Sequence, residues 1–376
     1  MKKLYRLDAW HKLLALRFKS LKWRHGVLIA LLILVTLTKM IPLWGFIYTT
    51  RIYPVIGTLL SPISGIFPFA VGDIFIALSI AWVILYPIYE MGWRKKRVFG
   101  RVAEYLLWVY AWFYIAWGLN YSQPNIYYRI GMKPVEVSKA KFKKFAYQYA
   151  DSLNALSNAS LSNARKSISP DSIVDDALKN RVRDAILKEY NKIGYREGIN
   201  RPFNQHPHAK TMVFTPISSM SGVTGSMGPF FCEFTLNGDI LAHDYPATYA
   251  HEFAHFLGVA NEGEANFYSY IVCTASADKQ VRFSGYYHIF FHVLNNVFDI
   301  LGEKEGERFL KHIRPEIIQR ARNDRHYWLS KRCKALDAAQ DVIFELYLRG
   351  NHVAEGRKSY SGVIGLILAW EEKIKK

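Results

Sequence analysis

His251-Glu252-Phe253-Ala254-His255, followed by Gly258-Val259-Ala260-Asn261-Glu262-Gly263-Glu264-Ala265-Asn266, reads as two helices meeting at a metal ion. On a helix a four-residue step returns to the same face, so both imidazoles can grip one ion while Glu252 stands beside a bound water. This is the spacing a zinc hydrolase uses. A catalytic zinc takes three protein ligands and leaves its fourth position to water, so a third donor must arrive from nearby in space. Gly258 is suited to end the first helix in a left-handed cap, and Ala265 to Ala275 has the composition of a second helix running back antiparallel to the first. That return brings Glu262 or Glu264 toward the metal. Glu262 is favoured, because Asn266 follows one helical turn later and is placed to hold the carboxylate or a liganding histidine. The expected site is therefore Zn2+ on His251, His255 and Glu262, with Glu264 as the alternative third ligand, Glu252 as the base and Asn266 in support.

The Glu262-x-x-Ala265-Asn266 arrangement resembles the Glu-x-x-x-Asp segment that supplies the third ligand in gluzincin peptidases. Asn266 stands where those enzymes carry Asp, so it can orient a histidine but adds no negative charge. The turn between the two helices is also shorter than in most gluzincins. Metzincins place their third ligand at the position of Asn261, and asparagine is a poor zinc ligand, which disfavours that branch.

Upstream, the chain is built for a membrane. Hydrophobic residues make up 51% and aromatics 15%, yet the mean hydropathy is only -0.02; a strongly apolar region is averaged with a charged one. The apolar region is Gly26 to Tyr121. Within it, Val27 to Tyr48, Gly72 to Gly92 and Val102 to Leu119 each approach the roughly 20 residues that cross a bilayer, with Lys39 expected to snorkel to the outer interface. Arg51 to Val71, broken by Pro54, Pro62 and Pro68, reads as a loop or a short interfacial segment. Lys2, Lys3, Arg6, Lys12, Arg17, Lys19, Lys22 and Arg24 precede the first span, and Arg94, Lys95, Lys96, Arg97 and Arg101 join the second to the third. Only Arg51 lies between the first two. Because basic residues stay cytoplasmic, the expectation is a cytoplasmic basic N-terminus over 1–25, about three transmembrane helices over 26–121, and an extracytoplasmic domain over 122–376. Trp44, Trp93, Trp117, Tyr48 and Tyr121 suit an aromatic belt. No small-residue cleavage site follows the first apolar run, so a cleaved signal peptide is not expected. The net charge of +18 is concentrated in the two segments expected to face anionic headgroups. With no P-loop, zinc-finger spacing or basic-aromatic repeat, nucleic acid is not an expected partner.

In the remaining chain, Val135 to Leu156 and Ser172 to Ile193 carry apolar residues at helical spacing, with Pro134 and Pro170-Asp171 at their starts. Met212 to Phe214 and Phe230 to Leu236 have strand composition, and Ser218 to Gly228 between them reads as a Gly/Ser-rich loop. An edge strand ahead of the metal-binding helix is suited to hold a peptide by strand addition. Asp244 and Pro246 supply the cap and first turn of that helix. Tyr286 to Leu301 and Ala338 to Leu348 read as helices, and Gly362 to Trp370 as a core helix. His288 and His292, four apart, and Tyr286 or Tyr287 are weaker candidates for the site, and His206 and His208 weaker still. Cys232, Cys273 and Cys333 permit one disulfide without choosing it, and Cys273 reads as core.

The order of parts resembles an uncharacterised bacterial membrane family catalogued as domain of unknown function 3810. The likeness runs through Thr215 to Ser218, Tyr249-Ala250-His251-Glu252-x-Ala254-His255-x-x-Gly258, Glu262-x-Glu264-Ala265-Asn266-Phe267, Ser284-Gly285-Tyr286 and Ser359-Tyr360-Ser361. It implies a zincin-like membrane protein and brings no established substrate. The resulting expectation is a mainly α chain, with N-terminal transmembrane helices and then an α+β zincin-like domain, acting as a zinc metallopeptidase on a peptide or protein substrate outside the cytoplasm. The alternative is a non-enzymatic membrane sensor or structural protein with a zinc-stabilised ectodomain. Nothing in the sequence marks an oligomeric state.

Overall fold

The first helix, α1 (Trp23–Met40), stops where the sequence requires it to. Pro42 has no amide proton and forces the preceding Ile41 into an extended conformation, with φ −114° and ψ 101°. The apolar run expected to continue to Tyr48 instead bends through a short helix, Pro42–Ile47, and one π turn, Tyr48–Ile52. In this computed structural model, which describes residues 23–90, 95–135, 138–164, 174–204, 207, 209–336, 338, 341–342 and 362–375, the chain is mainly helical with one three-stranded sheet.

The segment from Arg51 to Val71, expected as a loop or a short interfacial segment, contains a helix, α2 (Tyr53–Gly65). Pro54 falls in its first turn, where a missing amide proton costs nothing, whereas Pro62 lies inside the helix and removes one hydrogen-bond donor there. Two helices follow, α3 (Val71–Glu90) and α4 (Lys95–Ala116). Of these, α1 and α3 are long and apolar enough to cross a membrane. The third expected span is only the latter part of α4, whose first turns carry Lys95, Lys96, Arg97, Arg101 and Glu104. Lys39 donates to the Tyr114 hydroxyl at 3.1 Å and lies over that ring, packing between α1 and α4.

Two long helices, α5 (Lys139–Ala164) and α6 (Asp176–Ile193), begin a few residues later than expected. The Asp175 carboxylate caps α6 by accepting from the Leu178 amide at 2.7 Å. The sheet comprises β1 (Lys210–Thr211), β2 (Gly225–Gly228) and β3 (Glu233–Leu236), with β3 in the centre, parallel to β1 and antiparallel to β2. The strands are shorter than their composition implied, and Met212 to Phe214 lie just past β1. Pro216 starts a short helix, α7 (Thr215–Met220), that runs into the beginning of the expected loop, and that loop ends as the edge strand β2. Glu233 on β3 is buried. It accepts from Lys210 Nζ at 2.7 Å and from the Gly72 amide at 2.5 Å, clamping the sheet to the start of α3.

The remaining helices are α8 (Tyr245–Phe256), α9 (Glu262–Ala275), α10 (Lys279–His288), α11 (Phe290–Leu301), α12 (Glu303–His312), α13 (Pro315–Lys331) and α14 (Val363–Ile374). The helix expected from Tyr286 to Leu301 breaks at Ile289, so His288 and His292 sit on different helices. As expected, α14 is buried in the core. All three cysteines are free thiols, and Cys273 is buried. The reading of most of Ala338 to Leu348, and those of Ser359 to Ser361, Pro170-Asp171, His206 and His208, fall outside the described residues. One hydrophobic cluster runs from Val35, Tyr53 and Trp117 near the N-terminal helices, through Phe253 and Phe256 of α8, to Val363 and Ile367 of α14. Burial of each such large side chain contributes about 1.5–3 kcal/mol.

Candidate metal centre

Nearly every side chain of α8 is buried, because the helix runs through the core with one face turned to α9. It ends as its sequence demands. Gly258 adopts φ +96°, and the amides of Gly258 and Val259 close back on the carbonyls of His255 and Ala254 at 3.0 and 3.1 Å. A Cβ on Gly258 would lie 3.1 Å from Asn120 Oδ1 and 3.2 Å from the Tyr53 ring. The chain then turns within a few residues, and the Asn261 side chain caps α9 by accepting from the Glu264 amide at 3.0 Å.

This turn sets Glu262 opposite the two histidines. His251 Nε2 and His255 Nε2 are 3.1 Å apart, and Glu262 Oε2 is 3.2 Å from the first and 3.5 Å from the second. A tetrahedral ion with bonds of about 2.0–2.1 Å has ligand-to-ligand edges of about 3.3–3.4 Å, so the three atoms lie at the spacing of one face of such a site. The far ring nitrogens support this. His251 Nδ1 donates to Asn266 Oδ1 at 2.8 Å, and His255 Nδ1 donates to the Val259 carbonyl at 2.6 Å. With both Nδ1 atoms committed as donors, the Nε2 lone pairs and the carboxylate converge on one point, an arrangement that suits a cation.

Asn266 is itself held, because His288 Nε2 also donates to its Oδ1, at 2.9 Å. Burial pushes the His288 imidazole down to about 3, with His251 and His292 adding to the effect, so His288 is a neutral donor here. His292 is lowered by the same causes, burial first and His251 second. Neither Tyr286 nor Tyr287 turns its hydroxyl to the centre: Tyr287 donates to Asp324, and Tyr286 pairs with Tyr270. The alternative third ligand is engaged elsewhere. Glu264 accepts from Arg129 Nη2 at 2.6 Å and from the Ile126 amide at 3.0 Å, in a buried ion pair.

Glu252 is buried, and its Oε2 has no hydrogen-bond partner. Burial raises its pKa above the ordinary carboxylate value, against the lowering pull of His251 and His255. The edge strand β2 lies directly on it: a Cβ at Gly225 would sit 2.4 Å from Glu252 Oε1. Only glycine at that position leaves the carboxylate its room.

The chain matches the family model described as Protein of unknown function (DUF3810) over residues 48–368. It belongs to that family. The DUF3810 match contains every residue of the centre and leaves α1 outside. No curated protein and no solved structure matches the chain.

Several residues that shape this DUF3810 site carry no local sequence signal. The carbonyls at the end of α8 are taken up by distant side chains: Trp117 on His255, Tyr53 on Phe256, Asn200 on Leu257 and Gln123 on Gly258. At the opposite end, Asp244 occupies the cap position without a side-chain cap bond. It faces His243 at 3.7 Å, and His243 bonds Asp324 at 2.8 Å. These three residues form a second group with metal-ligand chemistry, but Tyr287 and His243 already satisfy Asp324. The group reads as a fastening between α8 and α13.

Proposed function

We propose that this chain is a membrane-anchored, zinc-dependent metallopeptidase with a zincin-like domain that hydrolyses peptide bonds on the extracytoplasmic side. One observation carries the reading: three converging donor atoms lie beside a buried carboxylate with an unbonded oxygen. His251, His255 and Glu262 would hold the ion, which supplies a Lewis acid and a bound water of pKa about 7. Glu252, which burial raises above the ordinary carboxylate value, would take a proton from the attacking water and pass it to the leaving amine. Asn266 and the Val259 carbonyl orient the imidazoles. The outer side of β2 offers backbone groups on which a peptide can lie as an added strand. A three-ligand set with an adjacent base suits catalysis, whereas a purely structural zinc closes with four ligands and needs no base.

The proposed orientation has the N-terminus inside and α1, α3 and the latter part of α4 crossing. In its support, the start of α3 and the residue after α4 both touch the site-bearing part of the chain, through Gly72 to Glu233 and Trp117 to His255. The test is metal analysis of purified full-chain protein together with cleavage of a peptide library. Wild type should hold one zinc and cleave, Glu252→Gln should hold zinc without cleaving, and His251→Ala should lose the metal. Zinc binding with no Glu252-dependent cleavage would favour the sensor reading.

A further inference from the structure

Two uncharged stretches meet beside the site. Ile52 to Gly72 and Met212 to Cys232 contain no Asp, Glu, Lys, Arg or His, in a chain that is 21% charged. They are joined where the Asp73 carboxylate accepts from the Val213 amide at 2.9 Å and where Lys210 Nζ reaches the Ser64 carbonyl at 2.6 Å. Several of their apolar side chains point outward. Ile66, Phe67 and Phe69 are exposed on one stretch, and Val213, Phe214, Ile217 and Met220 on the other. Val213, Ile217 and Met220 follow one helical face of α7 and its approach. On the opposite face Ser219 is buried and donates to Asp239 at 2.7 Å. Elsewhere beyond residue 121, Tyr128, Phe291 and Ile374 are exposed on three separate elements. A contiguous apolar patch of this kind marks an interaction surface rather than a water-facing one.

We infer that α7 and the Ile66–Phe69 turn form an interfacial surface seated in the headgroup region of the bilayer. The occupant follows from continuity. Asp73, which holds Val213, lies in the first turn of α3, one of the two helices long and apolar enough to cross a membrane. The apolar face of α7 therefore sits at the level where α3 enters lipid, and its serine face is fixed to protein, the geometry of an interfacial helix. Gly225 follows Met220 by five residues, so the chain cannot separate them by more than about 18 Å, and Gly225 rests on Glu252. The metal centre thus works at the membrane surface. Resting on the peptidase reading above, its substrate class is the juxtamembrane stretch of a membrane-embedded polypeptide.

The test uses the full chain in vesicles of phosphatidylethanolamine and phosphatidylglycerol, in a Cys333→Ser background that leaves only the buried Cys232 and Cys273. A nitroxide on Ile217→Cys should be accessible to oxygen and protected from a water-soluble nickel chelate, and one on Phe291→Cys should show the reverse. Nickel access at Ile217 equal to that at Phe291 would overturn the inference, as would protection from both reagents, the result expected if a second copy or a protein partner covered the patch. A cooperative thermal unfolding transition in each labelled variant reports that it is folded. Because depth is read without hydrolysis, loss of the peptidase reading would leave this result standing. For the substrate class, a peptide tethered to a span should be cleaved at least about 10-fold faster than the same peptide free, through its raised effective concentration, and equal rates would overturn it.

Discussion

The indole N–H of Trp117 donates to the backbone carbonyl of His255 at 3.0 Å, so a proposed metal ligand hangs from a residue that directly follows the last of the N-terminal helices. The last carbonyls of a helix have no partner within it. Here Trp117, Tyr53, Asn200 and Gln123 satisfy those of His255, Phe256, Leu257 and Gly258, and Asn200 also donates to the Thr49 carbonyl at 2.8 Å. The site helix therefore ends against the region expected to be membrane-bound, with Tyr53 and Trp117 as its contacts there. Trp117→Phe keeps the ring but removes one of the bonds to the His255 carbonyl, which still accepts from the Gly258 amide, and should cost about 0.5–1.5 kcal/mol, read as a lower Tm with one zinc still bound. A fragment beginning at residue 122 lacks Tyr53 and Trp117 and should neither fold cooperatively nor hold zinc. A soluble fragment with wild-type zinc affinity would refute this coupling.

Glu262 and Glu264 should fail differently. Glu262→Ala removes a donor atom and should lower zinc affinity steeply while leaving the metal-free protein folded. Glu264→Ala leaves the buried Arg129 guanidinium without its carboxylate, a loss of about 3–5 kcal/mol when one partner of a buried pair is removed. Its zinc content per folded molecule should stay near wild type. Isothermal titration and thermal unfolding of both variants separate the two effects, and the reverse pattern would reassign the third ligand.

The helix pair around the site is legible in the sequence because its determinants are local. The four-residue histidine spacing, Gly258 at a positive φ and Asn266 one turn beyond Glu262 all lie within one short stretch, although the second helix starts at Glu262, three residues earlier than its composition implied. What escapes is either non-local or carried by backbone. Tyr53, Trp117, Gln123 and Arg129 reach the site from far along the chain, and no spacing rule points to them. The edge strand Gly225–Gly228 has none of the β-branched residues that signal a strand, since it pairs through its main chain. Proline was the misleading signal at α2: Pro54 falls in the first turn, where a missing amide proton is tolerated, and the helix continues past Pro62 despite the donor lost there.

Gly225 should be a sensitive position despite being no ligand. A side chain there meets the Glu252 carboxylate, so Gly225→Val must displace either the base or the strand. Cleavage should fall by roughly 10²-fold or more, the scale of losing general-base catalysis, with zinc content retained. Near-wild-type kcat/KM in this variant would show that Glu252 does not act from its observed position.

Acidity should set metal binding through His255 and Glu262. Burial alone would lower the His255 pKa, but the Glu262 carboxylate outweighs it and lifts the imidazole to about 9. Burial likewise raises Glu262, and His255 with His251 more than reverses this, holding the carboxyl well below its usual range. In the metal-free protein the raised histidine contributes stability that is fully present below about pH 6.5 and lost as pH climbs toward 9. The lowered glutamate contributes above about pH 4.5, and that contribution is lost as pH falls through its folded value. The metal-free chain should therefore be most stable between these limits. Zinc must displace the His255 proton, so its apparent affinity should rise with pH up to about 9, by as much as about tenfold per unit, and then level off. The gap in Tm between zinc-loaded and metal-free protein should widen over the same range. Chelator-competition titrations and paired melts from about pH 6 to 9.5 check this; an affinity that stays flat across that window would mean that His255 gives up no proton to the ion and that Glu262 does not hold its imidazole protonated in the metal-free chain.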